Sequence, residues 1–473
     1  MEHYQVLLIL ALVFGFYMAW NIGANDVANA MGTSVGSGAL TLKRAVIIAA
    51  FLEFSGALFA GAHVSQTIRK GIVNPEIFAG RPEVFVLGMM ATLLAAGAWL
   101  QIASYYGWPV STTHSLVGAI VGFGAVVGGV HAVYWAKVGS IAASWVISPL
   151  FSGAIAFIIF SLLRRRIFYS DNPVAATKKI TPFLVFLVFV TLTLVVLFKG
   201  LNNLHLDLTF WPAMLVAIGV GVVAACGSAI LVARIKEEHA PENQTRFHHP
   251  QVSLSLGKAL RHLQRVQNES SGEVQAEVGD HYERLKRLAD EVGADTEIEK
   301  QHAAFRTVER IFVYLQILSA CCVAFAHGAN DVANAIGPLS AVISVLNEGI
   351  VAIESEVQIW VLALGGIGIV IGLATWGWRV IETIGRRITE LTPSRGFSAE
   401  FGAAVTIFLA SKFGIPVSTT HTLVGAVLGV GLARGMTALN LNMVRDIIIA
   451  WVVTIPAGAI LAILFYYVLS GIF

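Results

Sequence analysis

Charge is the scarcest thing in this chain. Asp, Glu, Lys and Arg make up 13% of its 473 residues, against ~25% in an ordinary soluble domain. A larger soluble core does not close that gap, because a water-facing surface needs charge. The net charge is only +2, so no basic surplus points to a nucleic-acid partner. Cysteine is nearly absent. Cys226, Cys321 and Cys322 sit in apolar runs, too few for a disulfide framework and spaced for no metal motif, so they are expected to be packing residues. Met1-Glu2-His3 lacks the basic start of a cleaved signal peptide, and the first apolar run is expected to stay as a span. No His-Glu-x-x-His occurs, which disfavours a zinc hydrolase. No enzyme and no cofactor are expected.

Apolar sequence is what the chain has instead. Mean hydropathy is +0.75. Runs near the ~20 residues that cross a bilayer recur at 6–18 with its flanks, 84–102, 138–163, 182–198, 211–232, 359–376 and 447–469. One stretch breaks the pattern. Residues 234–310 hold 26 of the chain's 60 charged side chains and read as a soluble insert, with helix-like segments at 254–267 and 281–287 around a polar link at 268–272.

Either side of the insert lies a repeat. Gly23-Ala24-Asn25-Asp26-Val27-Ala28-Asn29-Ala30 returns unchanged as Gly328-Ala329-Asn330-Asp331-Val332-Ala333-Asn334-Ala335. Pro109-Val110-Ser111-Thr112-Thr113-His114 returns as Pro416-Val417-Ser418-Thr419-Thr420-His421, each running on after one residue into Leu-Val-Gly-Ala. A weaker pair is 64–68 against 380–384. The domains expected are 1–165 (first membrane repeat), 166–233 (two linking transmembrane helices), 234–310 (charged cytoplasmic insert) and 311–473 (second membrane repeat).

Basic residues mark cytoplasmic loops. Arg164-Arg165-Arg166, Lys178 and Lys179 mark one, and two spans separate it from the charged insert, while the 200–210 turn between them has no Lys or Arg. With five crossings per repeat, the second repeat begins on the opposite side from the first. The expected fold is therefore an all-α polytopic membrane protein of about 12 transmembrane helices in two inverted repeats, with broken or re-entrant segments. Arg69, Lys70 and Arg81 fall on the wrong side in that scheme.

Asp26 and Asp331 lie inside apolar runs, where an ionisable group costs ~2.5–3.5 kcal/mol. Asn25, Asn29, Asn330 and Asn334 add amide oxygens, and the small residues around them are expected to let backbones approach closely and to let the helix unwind and expose carbonyls. Carboxylate, amide and carbonyl oxygens suit a hard cation. Na⁺ at Asp26 and Asp331 is favoured, and a protonatable Asp for H⁺ coupling is the alternative. Hydrogen bonding between packed helices would need only Asn. The second motif supplies the complement. Pro109 and Pro416 are expected in the first turn of a helix, so Ser111, Thr112, Thr113, Ser418, Thr419 and Thr420 place hydroxyls beside free N–H groups, a cradle for a tetrahedral oxyanion without Lys or Arg. His114 and His421 read as capping or packing residues first and proton carriers second. Glu53 and Glu400, in apolar settings, are candidates for coupling or gating, with Glu400 alternatively an interfacial residue.

Taken together, the duplicated Gly-Ala-Asn-Asp-Val-Ala-Asn-Ala and Pro-Val-Ser-Thr-Thr-His motifs resemble the signatures of the inorganic phosphate transporter (PiT) family, and Ser394-Arg395-Gly396-Phe397-Ser398-Ala399-Glu400 is similar to a further family segment. The resemblance covers both repeats but not the insert. It implies a multi-pass protein of the cell membrane that carries inorganic phosphate by symport with Na⁺ or H⁺. By the same resemblance Asn25, Asp26, Asn330 and Asp331 would hold the cation, the six Ser/Thr residues would hold phosphate, and Glu53 and Glu400 would be needed for transport. A sulfate permease of the same fold is the alternative, then an anion channel. The partners implied are phosphate, the coupling ion and the lipid bilayer, with a homo-oligomer left open.

Overall fold

The structure is a computed structural model describing residues 4–69, 72–197, 209–235, 250–293, 296–351, 357–412, 417–435 and 439–473. Pro416, Lys70, most of the 200–210 turn and residues 236–249 of the insert lie outside the described residues. Among the described residues there are fifteen α-helices. They are α1 (Tyr4–Gly36), α2 (Leu42–Arg69), α3 (Pro82–Tyr106), α4 (Thr112–Val127), α5 (Trp135–Leu163), α6 (Pro173–Val195), α7 (Phe210–Ala233), α8 (Pro250–Glu269), α9 (Glu273–Gly293), α10 (Thr296–Glu348), α11 (Ile359–Thr375), α12 (Trp378–Glu382), α13 (Pro393–Lys412), α14 (Thr419–Arg434) and α15 (Leu441–Ile472). The all-helical architecture follows from the bilayer, which offers no hydrogen bonds and so demands that each span satisfy its own backbone.

Seven of these helices are long and apolar enough to cross a membrane, or eight if the α11–α12 pair, bent by 59°, is one span. That count falls short of the twelve expected from the loops. The shortfall sits partly in α4 and α14, each of 16 residues. At 1.5 Å per residue these are ~24 Å long, less than the ~30 Å hydrocarbon core. They are short because each starts late. The cap of α4 is Ser111 and that of α14 is Ser418, whose hydroxyls accept the His114 and His421 N–H groups. Pro109 therefore lies two residues before the cap rather than in the first turn. Upstream, Gly107 ends α3 in the left-handed region at φ 68°, which only glycine adopts cheaply, and turns the chain toward the motif.

The two Asp motifs do not unwind their helices. Both α1 and α10 run unbroken through them. Of the two roles expected of the glycines, close approach is the one they serve. A Cβ on Gly23 would stand 2.0 Å from the Ile369 carbonyl oxygen, and one on Gly328 2.1 Å from that of Glu53. These contacts are paired about an approximate two-fold. In α2, Gly56 abuts Phe325 and Ala329 of α10, and in α11, Gly372 abuts Trp20 and Ala24 of α1. The offset from Gly56 to Gly372 equals that of the weak 64–68 and 380–384 pair. Likewise Gly118 of α4 meets Ile455 of α15, and Gly425 of α14 meets Pro149 of α5. Each repeat thus packs its motif helices against the other repeat.

By its internal contacts the chain divides into two compact units. One holds residues 1–164, 181–228 and 312–473, the other 165–180 and 229–311. In the second, α8 and α9 pack as a hairpin around Gly272, at φ 70°, longer at both ends than the segments expected from sequence. They carry half of the insert's charged side chains, including an Arg284–Asp280 pair at 2.8 Å.

Candidate functional site

Past the middle of α1 and α10, the packing that brings the repeats together also buries a polar cluster. Asp26, Asn29, Asp331 and Asn334 are each 2% exposed or less. The repeats cross-bond there. In the first repeat, the Asn29 amide donates to Thr420 Oγ1 at 2.9 Å and to Asp26 Oδ1 at 3.2 Å. In the second, the Asn334 amide donates to Thr112 Oγ1 at 3.2 Å. Each Asn reaches the helix start of the other repeat. Two threonine hydroxyls meanwhile face carboxylates: Thr419 donates to Asp331 Oδ2 at 3.0 Å, and Thr420 has both the Val110 carbonyl at 3.1 Å and Asp26 Oδ1 at 3.3 Å as acceptors. The candidate cation and anion residues therefore form one cluster. Within it Asp26 Oδ2, Asn29 Oδ1 and Asn334 Oδ1 are buried acceptors with no hydrogen-bond donor. Buried acceptors of that kind are costly unless something electropositive faces them, and a cation of the hard class fits them.

Of the other two asparagines, one faces elsewhere. Asn25 spends its amide on Ser104 Oγ at 3.0 Å and the Trp108 carbonyl at 3.1 Å, and its oxygen accepts the Val110 N–H at 3.3 Å. It ties α1 to the segment that aims the first Ser-Thr-Thr. Asn330 is half-buried and donates to Asp331 Oδ1 at 2.9 Å. Among the Ser/Thr residues, Thr113 is half-buried and the other five are buried.

One residue escaped the sequence reading. Between the two carboxylates stands His327, with Nε2 2.8 Å from Asp331 Oδ2 and 3.8 Å from Asp26 Oδ2, and Nδ1 3.3 Å from Glu53 Oε1. Three of these side chains, Asp26, His327 and Asp331, offer ligand atoms within 4.8 Å of one another. The signal was available. His327 immediately precedes the second motif and lies one turn before Asp331, in a run as apolar as the one that embeds Asp26. Where it stands the first repeat has Ile22, and opposite Gly23, where Glu53 would be, stands Ile369. The buried His–Glu pair thus exists in one half only, and the site is two-fold in Asp, Asn and Thr but not in charge.

Glu400 is fully buried, not interfacial. Its carboxylate accepts the hydroxyls of Thr33, Ser319 and Ser34, the last at 2.8 Å, and the Gln316 amide at 3.3 Å. Four partners from α1 and α10 make it a second polar centre, again without a copy in the other half. Gly32-Thr33-Ser34-Val35-Gly36 spells the Gly-x-Ser-x-Gly pattern of serine hydrolases. That pattern acts on a strained strand-to-helix turn, whereas here it lies in α1 with its serine committed to Glu400.

Residues 22–462 match the phosphate transporter family (PHO4). The chain belongs to that family. A protein of Chlamydia pneumoniae named as a phosphate permease is 47% identical over 99% of each chain. The inorganic phosphate transporter 2-1 of Arabidopsis thaliana, a chloroplast protein, is 45% identical over 99% of this chain and 73% of its own. A solved sodium-dependent phosphate transporter is similar with a TM-score of 0.78 and 36% identity, over 99% of this chain and 100% of that one. The family is one of transporters rather than enzymes, and the chain is a multi-pass membrane protein with this family's fold.

Proposed function

We propose that the protein imports inorganic phosphate by cation symport, with Na⁺ as the coupling ion, bound at the cluster of Asp26, Asn29, Asp331 and Asn334. The phosphate would lie against Thr112, Thr113, Thr419 and Thr420 at the starts of α4 and α14, with Ser111 and Ser418 capping both helices. Helix N-termini carry about half a positive charge and unpaired N–H groups, enough to hold an oxyanion without a basic side chain. The structural neighbour's name, a sodium-dependent phosphate transporter, favours Na⁺ over H⁺.

One observation supports the coupling above all. The hydroxyl proton of Thr419 is engaged with Asp331, and that of Thr420 is shared between Asp26 at 3.3 Å and the Val110 carbonyl at 3.1 Å. An anion arriving first would compete with two carboxylates for those donors and meet like charge. A cation on the carboxylates takes over their lone pairs, releases the hydroxyls and supplies opposite charge. Cation first, anion second is the order that follows. Two Asp motifs give room for two cations, and two with a monoanion carry one net charge, so ~100 mV adds ~2.3 kcal/mol of driving force. Exposure of the site to each side in turn would follow from the exchange packing of the repeats about their two-fold. The test is ³²P-phosphate uptake into proteoliposomes under an inward Na⁺ or H⁺ gradient, with excess sulfate as competitor. Uptake driven by Na⁺ and indifferent to sulfate is the expected result. Uptake driven by H⁺ alone refutes Na⁺ coupling, and its loss to sulfate refutes the substrate.

A further inference from the structure

Immediately behind the two threonine rows lies a group of rings that the coupling scheme does not use. His114 and His421 follow Thr113 and Thr420 and are 1% and 3% exposed. Their ring centroids are 4.2 Å apart, edge to face, where the two repeats meet. Outside them stand two tryptophans at equivalent positions. Trp145 of α5 lies 3.7 Å from His114, and Trp451 of α15 stacks on His421 at 3.6 Å and 23°. The result is a run of four rings, Trp145–His114–His421–Trp451, across the repeat boundary.

The polar atoms of the run cross that boundary as well. Nδ1 of His421 lies 3.3 Å from the Trp145 carbonyl oxygen, as a ring N–H donor would. The Trp451 indole N–H donates to the Pro109 carbonyl at 3.0 Å. Each tryptophan thus holds its own repeat's histidine by its face and the other repeat's motif by a hydrogen bond. The histidine backbones are fixed in turn, because their N–H groups are the ones that Ser111 and Ser418 cap. Neither repeat sets the distance between the two threonine rows by itself.

We propose that His114 and His421 are positioning residues for the anion site, whose stacked rings between Trp145 and Trp451 set the separation of the two helix starts and so the size of oxyanion the site prefers. This rests on phosphate lying against the threonine rows. A ring role accounts for what the nitrogens do not do. Both ring nitrogens of His114 and Nε2 of His421 have no hydrogen-bond partner. Among the described residues α4 and α14 carry no acidic side chain, Lys137 of α5 is half-buried near the start of its helix, and Arg445 and Asp446 of α15 are exposed near the start of theirs. His114 contributes a flat ring of fixed thickness, and His421 contributes a ring and one hydrogen bond.

The test compares His114→Ala, His114→Phe, His421→Ala and Thr112→Ala in proteoliposomes, reading KM for phosphate, Vmax, and the inhibition constant of arsenate, a tetrahedral oxyanion with longer bonds. His114→Ala and His421→Ala should raise KM about tenfold and change the arsenate-to-phosphate ratio at least about threefold, with Vmax within about twofold. His114→Phe, which keeps the ring, should recover both KM and the ratio, with no shift in the pH profile of KM. A loss of folded protein would lower Vmax and leave the ratio alone, which overturns positioning. So does His114→Phe behaving like His114→Ala, which would give the nitrogens the role. If Thr112→Ala raises KM and neither alanine variant at histidine does, positioning fails and the anion site stands. If Thr112→Ala leaves KM unchanged, both fail.

Discussion

The lone buried His–Glu pair can be replaced by the residues that the other half of the molecule already uses in its place. His327 Nδ1 lies 3.3 Å from Glu53 Oε1, and the corresponding residues, Ile22 and Ile369, are fully buried. For a charged pair at that separation, an effective dielectric of ~20 gives roughly 5 kcal/mol of attraction. Removing one partner from a buried pair typically costs ~3–5 kcal/mol, whereas replacing both by apolar residues is often neutral or stabilising. Accordingly His327→Ile and Glu53→Ile should each lower the thermal unfolding temperature of the detergent-solubilised protein markedly. The double variant should lose clearly less than the sum of the two single losses, but it should stay below the parent, because Asp331 then stands without its 2.8 Å partner. Unfolding of membrane proteins is commonly irreversible, so all four proteins are scanned at one rate. Uptake should not recover with stability, because the double variant lacks the group that sits against Asp331. A double variant whose loss equals the sum of the single losses would refute the pairing. One that transports normally would refute its role in coupling.

Four further outcomes follow. Asp26→Asn or Asp331→Asn should abolish Na⁺-driven ³²P accumulation while leaving the protein monodisperse in size-exclusion chromatography. Gly328→Ala puts a Cβ 2.1 Å from the Glu53 carbonyl oxygen, an overpacking that costs ~1–3 kcal/mol, so thermal stability and uptake should both fall, whereas Gly227→Ala, in open space, should change neither. Ser418→Ala removes the cap of α14 and should cost ~1 kcal/mol of stability together with a rise in phosphate KM. Glu400→Gln keeps the shape inside a pocket of three hydroxyls and an amide but loses the charge, and should cut Na⁺-driven uptake at least about tenfold with little loss of expression.

Repetition made most of the site legible in the sequence. A motif that returns unchanged across the chain must meet its copy in a two-fold structure, and Asp26, Asn29, Asp331, Asn334 and the threonines do meet. What breaks the symmetry was not legible by the same route. His327 lay one residue outside the repeated string, and Glu53 has an isoleucine for its counterpart, so neither could be found by matching halves. A glycine in an apolar run allows both unwinding and close approach of two helices, and only the neighbouring backbone decides between these. Asn25 and Asn29 are identical in type and one turn apart, yet one grips the 104–110 segment and the other the far helix start, a difference of direction that no spacing encodes. The charge of the loops likewise says nothing about how late α4 and α14 begin.

The measurement closest to the central claim is equilibrium binding of phosphate to the purified protein in NaCl and in choline chloride at one pH. If a cation on Asp26 and Asp331 frees Thr419 and Thr420 for the anion, Na⁺ tightens phosphate, phosphate tightens Na⁺ by the same factor, and the effect disappears in Asp26→Asn with Asp331→Asn. Equal phosphate affinity in the two salts would contradict it.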